Sequence, residues 1–285
     1  MILLNPPSTL LIGPAGTGKT TSLVTLLTSG LKLRMLATEP SAPNRVLAEC
    51  EKRSISAANF DWHFVSPSVP SWDSLRTSAT MVNSMTIKDI ADMRSGIAKP
   101  DGKQWIEMLD GIAKFTSDRT GLLLGDATEW ASDCAFVIDG LTGINTMSRN
   151  LTVGLKPNPA PGEWGIMQSN ILNLINKLAS DCKCFFVCIA HVERETNELT
   201  GMSGVTVSTL GAKLAPKIPP LFTQVVLAKR TSERFEWSTA ASNTDTKNGD
   251  LPFSDTLIPD FTPIVENFRK RLKAAQPEPV ATAQP

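Results

Sequence analysis

Gly13-Pro14-Ala15-Gly16-Thr17-Gly18-Lys19-Thr20 is the stretch that decides how this chain is read. It fits G-x-x-x-x-G-K-[ST], the phosphate-binding P-loop, and each residue type answers a physical need. Gly13, Gly16 and Gly18 let the backbone turn tightly and aim its N–H groups inward, where they surround the β-phosphate of a nucleotide. Pro14, Ala15 and Thr17 fill out the loop, and Thr21 carries it into a helix whose N-terminal dipole end is positive. Lys19 reaches the β- and γ-phosphates as a point charge, and the Thr20 hydroxyl is a ligand for Mg²⁺.

The flanks agree with the loop. Leu10-Leu11-Ile12 runs directly into it as a short buried strand, and Leu23, Val24, Leu26 and Leu27 follow at helical spacing until Gly30 stops the helix. Further along, Leu33 to Ala37 reads as a second strand ending at Thr38-Glu39-Pro40, and residues 41–58 as a helix. Phe64-Val65 reads as a short third strand. Residues 71–130 read as a helical elaboration, with helical patches at 76–93 and 103–115. Ala135 to Asp139 is an apolar strand ending in a carboxylate, Leu151 to Gly162 a loop, and Trp164 to Leu178 an amphipathic helix. Phe185 to Ala190 is another buried strand, ending at His191. Residues 192–212 are polar and Gly-rich and read as a loop of about 20 residues, a length that compact domains keep for function or disorder. Gln224 to Ala228 and Phe235 to Thr239 read as strands, and Ile264 to Leu272 as a closing helix.

Apolar strands alternating with helices predict an α/β fold with a mostly parallel central sheet flanked by helices. The expected organisation is one domain over 1–273 with a disordered Ala/Pro/Gln-rich tail at 274–285. In such sheets ligands sit at the carboxyl ends of the strands. Gly13, Glu39, Asp139 and His191 each stand at or just past the end of an apolar run, which makes them one constellation. Asp139 fits the Walker B role of holding Mg²⁺ beside the phosphates. Gly140 follows it where many relatives of this motif place a second acid, so the base that activates water must come from elsewhere, and Glu39 is the candidate. His191 is placed to hydrogen-bond a γ-phosphate.

Composition narrows the function classes. The chain has 285 residues, 28 basic and 28 acidic, so no global positive field steers it onto nucleic acid. No apolar run spans a membrane and no basic segment precedes an apolar leader, so a cytoplasmic protein without a membrane partner is expected. Five cysteines, Cys50, Cys134, Cys182, Cys184 and Cys188, are an odd set for a disulfide framework and read as buried free thiols.

The arrangement resembles the RecA-like P-loop ATPase core. The residues that carry the likeness are the loop 13–20, Glu39 after the second strand, Asp139 as Walker B and His191 after the next strand, where RecA proteins usually have Gln. More narrowly, the chain is similar to phage-type RecA-like nucleotide-binding proteins, which include phage single-strand annealing proteins. GPAGTGKTT (13–21), ATEP (37–40), FVIDGLT (136–142), EWGIMQSNILNLINKL (163–178) and IAHVERE (189–195) carry that narrower likeness, with Lys213 to Ile218 and Ile258 to Phe261.

The resemblance implies ATP and Mg²⁺ as cofactors, a homo-oligomer (ring or filament) with a basic residue supplied in trans, and single-stranded DNA or phage replication and recombination proteins as partners, in the host cytoplasm if phage-encoded. Arg194, Lys229, Arg230 and Lys247 are candidates for the trans residue, and Arg194 and Lys213 for DNA contact. The loop 192–212 stands where RecA has its second DNA-binding loop. It carries only Arg194 against Glu193, Glu195 and Glu198 and has no aromatic residue to stack on bases.

Three functions compete at this stage. A DNA-acting ATPase predicts DNA-stimulated hydrolysis. A nucleotide-dependent loader or assembly factor predicts ATP-dependent complexes indifferent to DNA. A small-molecule kinase predicts an Arg-rich lid, and residues 85–125 are too poor in arginine to form one.

Overall fold

The computed structural model describes residues 4–67, 69–91, 101–154, 159–196 and 203–275. Strand β1 (Ser8–Ile12) enters the Gly-rich loop and leaves it as two short helical pieces, α1 (Lys19–Ser22) and α2 (Val24–Thr28). Gly30, at φ +77°, turns the chain into β2 (Lys32–Ala37), which leads to α3 (Ser41–Lys52) and β3 (Phe60–Phe64). Helices α4 (Trp72–Asn83), α5 (Ile87–Ala91) and α6 (Lys103–Ala113) follow, then a small hairpin of β4 (Phe115–Thr116) and β5 (Leu123–Gly125). Next come β6 (Cys134–Asp139), α7 (Leu141–Thr152), α8 (Pro161–Asp181) and β7 (Phe185–Ala190). A second hairpin joins β8 (Val192–Thr196) to β9 (Ser203–Val207), and β10 (Gln224–Arg230), β11 (Phe235–Ser238) and α9 (Thr262–Ala274) close the chain.

Seven strands form one sheet in the order β11-β10-β1-β7-β6-β2-β3, parallel throughout except for β10 with β11. The central strands are buried along their whole length, so their side chains alternate into two cores. Leu10, Ile12, Phe136, Ile138, Phe186 and Cys188 face the core under α6, α7 and α8. Leu11, Leu33, Met35, Val137, Val187 and Val226 face the core under α2, α3 and α9. On the first face Phe136, Phe186 and Phe222 stack in series with ring centroids 6.0 and 5.8 Å apart. Truncating such a ring, Phe186→Ala for instance, removes about 3–5 kcal/mol of packing.

Several expectations are corrected. The third strand is β3, Phe60–Phe64, not Phe64-Val65. It is an edge strand whose polar residues are used from outside: Asp61 accepts from Ser117 Oγ at 2.6 Å, and Asp118 accepts from the Phe64 N–H at 2.7 Å. Residues 141–150 carried no expectation and form α7, which also takes in Leu151 and Thr152 from the expected loop, while α8 takes in Pro161 and Gly162 at its other end. The described parts of the 71–130 segment carry α4, α5 and α6 as expected but also the β4–β5 hairpin, while 92–100 lie outside the described residues. Residues 192–212 do not form a structureless loop: β8 and β9 pair antiparallel from Val192↔Val207 to Thr196↔Ser203, while 197–202 lie outside the described residues.

The tail expected at 274–285 falls almost wholly outside the described residues, with α9 ending at Ala274. All five cysteines are buried and free. Among the described residues no helix is long and apolar enough to cross a membrane.

Candidate functional site

The Gly-rich loop sits at the carboxyl end of β1, and two of its glycines stand against close neighbours. A Cβ on Gly13 would stand 2.5 Å from the Ala228 carbonyl oxygen of β10, and the Gly13 N–H donates to the Ala190 carbonyl of β7 at 3.3 Å. The loop is thus seated between both neighbours of β1. Gly18 lies in the left-handed region at φ +77°, and a Cβ there would meet the Phe235 ring at 2.8 Å. Thr17 Oγ1 ties the loop across itself by donating to the Pro14 carbonyl at 2.9 Å.

Lys19 is buried, and its Nζ donates to the Gly13 and Pro14 carbonyls at 2.6 and 2.7 Å. An ammonium carries three donors, so two are used within the loop. Burial lowers the Lys19 pKa from 10.5 to about 8, with Arg45 pushing the same way against the carboxylates of Asp139 and Glu39.

Because β7 lies between β1 and β6, the end of β6 is held one strand away from the loop, and Thr20 bridges the gap. Its Oγ1 donates to Asp139 Oδ2 at 2.7 Å. Burial raises the Asp139 pKa, opposed first by the Thr20 hydrogen bond and then by the charges of Lys19 and Arg45. Thr38, at the end of β2, clamps the turn after Asp139: its N–H donates to the Asp139 carbonyl at 2.7 Å, and its Oγ1 accepts from the Gly140 N–H at 3.0 Å. A Cβ on Gly143 would come within 2.4 Å of Thr38, so α7 closes onto this turn through a glycine.

Two oxygens side by side, Thr20 Oγ1 and Asp139 Oδ2, suit a hard cation that keeps water and phosphate oxygens as its other ligands. Among the described residues no group of three His, Cys, Asp or Glu is placed to cage a metal.

Glu39 and His191 come together in the same cleft. Glu39 Oε1 faces His191 Nε2 at 4.0 Å, and Glu39 Oε2 faces Arg45 Nη1 of α3 at 3.8 Å. Both separations exceed hydrogen-bond length, so the carboxylate is flanked by its neighbours but not saturated by them. Burial lowers the His191 pKa, and Lys19 acts in the same direction. The whole forms a cleft of about 350 Å³ lined by Lys19, Thr20, Glu39, Arg45, Asp139 and His191 among others.

The basic residues fall into separate surroundings. Lys229 and Arg230 end β10 on the loop's side of the sheet; Lys229 pairs with Asp255 at 2.7 Å, and the Arg230 guanidinium lies 5.9 Å from the Phe235 ring centroid. Lys247 pairs with Val225 near the start of β10, away from the loop, and its Nζ donates to the carbonyls of Pro219, Pro220 and Phe222 at 3.1–3.3 Å. Arg194 is exposed on β8 and Lys213 is exposed beyond β9. Next to Arg194, Glu193 accepts from Ser208 Oγ at 2.5 Å.

Arg45, Thr38 and Phe235 belong to the site but were not singled out in the sequence. Thr38 adjoins Glu39 and was within reach of a strand-end reading; Arg45 and Phe235 carry no motif. No protein-family model matches the sequence and no curated protein matches it, so the functional reading rests on the geometry of this cleft.

Proposed function

We propose that this chain is a RecA-like P-loop ATPase that binds ATP with Mg²⁺ and hydrolyses it. The observation that carries the proposal is the meeting of Thr20 with Asp139 at 2.7 Å beside the buried Lys19, with Glu39 and His191 lining the same cleft. Backbone N–H groups of residues 16–20 take the β-phosphate, and Lys19 takes the β,γ-oxygens. Thr20 and Asp139 would hold Mg²⁺, which would neutralise phosphate charge there.

In the hydrolytic step a water oxygen bonds to the γ-phosphorus as the bond to the β,γ-bridging oxygen breaks. ADP leaves with that electron pair, and Glu39 takes the water's proton. His191, beside Glu39, hydrogen-bonds the γ-phosphate side. Lys19→Ala is the test: it removes nucleotide binding and turnover together, and normal turnover would end the proposal.

A homo-oligomer acting on single-stranded DNA is the extension that the RecA likeness implies. Its support in this chain is positional. The β8–β9 hairpin starts at the residue after His191, so whatever moves His191 acts directly on the segment that carries Arg194. The alternative partner is another protein, and DNA stimulation of hydrolysis separates the two.

A further inference from the structure

Among the described residues that line the cleft, Arg45 is the one charged side chain that none of the roles above uses. It stands one turn into α3, whose Ala42, Val46 and Cys50 are buried in the core and hold the helix in place. Its own side chain is 55% exposed and reaches Glu39 only at 3.8 Å. A surface ion pair of that length contributes little to stability, about 0–1 kcal/mol, so packing does not account for an arginine here. Among the residues lining the cleft, Lys19 and Arg45 are the two cations and Glu39 and Asp139 the two carboxylates. Lys19 is anchored on the loop's carbonyls, where the reading above puts the β-phosphate. Arg45 stands beside Glu39, the group that the hydrolytic arrangement above sets against the terminal phosphate.

We propose that Arg45 recognises the terminal phosphate of the nucleotide and, in doing so, releases Glu39 to act on water. A guanidinium forks onto two phosphate oxygens in a way that an ammonium does not. Before a triphosphate arrives, Arg45 and His191 flank the two oxygens of Glu39. A terminal phosphate outbids the exposed, loosely held carboxylate for the guanidinium. Glu39 Oε2 then loses its cation and can accept a hydrogen bond from water, while His191 stays beside Oε1. The arrangement makes the base available only when there is a phosphate to transfer. Arg45 thereby discriminates ATP from ADP within one chain, and this role rests on the P-loop reading above.

The experiment measures binding of fluorescent ADP and of a fluorescent non-hydrolysable ATP analogue to the wild-type chain, Arg45→Ala and Arg45→Lys, with single-turnover hydrolysis of ATP. Arg45→Ala is expected to bind ADP within about threefold of wild type and the ATP analogue about tenfold more weakly, with hydrolysis slowed on the order of 10²–10³, below the 10³–10⁵ of an arginine supplied to a fully formed site. Arg45→Lys is expected to regain binding of the analogue and not turnover, because a point charge attracts the phosphate without forking onto it. Melting temperatures equal to wild type confirm that the exposed substitution leaves the fold intact.

An unchanged ratio of analogue to ADP affinity in Arg45→Ala would overturn the proposal and leave the P-loop reading standing. A wild-type chain that binds neither nucleotide would overturn both.

Discussion

Raising the pH is a perturbation whose effect on this site can be worked out from Lys19 alone. Burial sets its pKa at about 8 against an ordinary 10.5, with Asp139, Glu39 and Arg45 as the charged groups around it. Phosphate beside the ammonium favours the charged form, so the bound pKa lies well above the free one. The sign follows: phosphate affinity is fully present well below pH 8 and is lost as the pH rises through the free pKa, because above it binding must first take up a proton. At pH 7 roughly nine in ten free molecules carry the charge and at pH 9.5 about one in thirty, so the Kd for ADP rises about 30-fold, or about 2 kcal/mol.

Calorimetric or fluorescence titration of ADP at half-unit steps from pH 7 to 9.5 measures it. Lys19→Arg is the control, since a guanidinium stays charged throughout and removes the slope. A wild-type Kd constant within about twofold over that range, or the same slope in Lys19→Arg, would refute the reasoning.

Three further outcomes are expected. Glu39→Gln keeps ATP bound and slows its hydrolysis by about 10²–10⁴, read as retained fluorescent-nucleotide binding with lost phosphate release; unchanged turnover removes Glu39 as the base. Gly13→Ala drives a Cβ against the Ala228 carbonyl at 2.5 Å and lowers stability by about 1–3 kcal/mol, seen as a fall in melting temperature, whereas an unshifted melt would mean that the loop is not pinned between β7 and β10. Arg194→Ala with Lys213→Ala weakens single-stranded DNA binding and lowers its salt slope by about 1.4, since each neutralised phosphate contributes about 0.7; an unaltered slope clears the hairpin of phosphate contact.

The legible part of this fold was the part whose chemistry is local. The Gly-rich loop stood out because its signature lies in eight consecutive residues, Gly13 to Thr20, although the contacts that demand Gly13 and Gly18 come from β7, β10 and β11. The central strands are read as apolar runs because both faces are buried, as β6 and β7 show. Edge elements were harder. Asp61 and His63 interrupt the alternation of β3 because segments far along the chain complete its outer edge. The β8–β9 hairpin was hidden by its glycines and charges, although Val205-Thr206-Val207 carried a β-branched signal. Helix α7 also had a signal, with Leu141, Ile144 and Ser148 buried at helical spacing, which the Walker B reading of Asp139 overshadowed.

Within the site, Glu39 and His191 were legible as strand ends because a parallel sheet brings strand ends together. They approach to 4.0 Å across the end of β6, the strand that separates β7 from β2 in the sheet. Arg45 and Phe235 were not legible. An exposed arginine on a helix looks the same whether it faces water or a cleft. Phe235 reaches Gly18 only because β11 folds back antiparallel on β10, a pairing that no local pattern announces.

The most direct test of the central claim is ATP hydrolysis by the purified chain with Mg²⁺, with and without single-stranded DNA, beside Lys19→Ala. The account predicts turnover in the wild type that DNA increases and that Lys19→Ala abolishes. Turnover that survives in Lys19→Ala, or a wild type that neither binds nor hydrolyses ATP under any of these conditions, would contradict it.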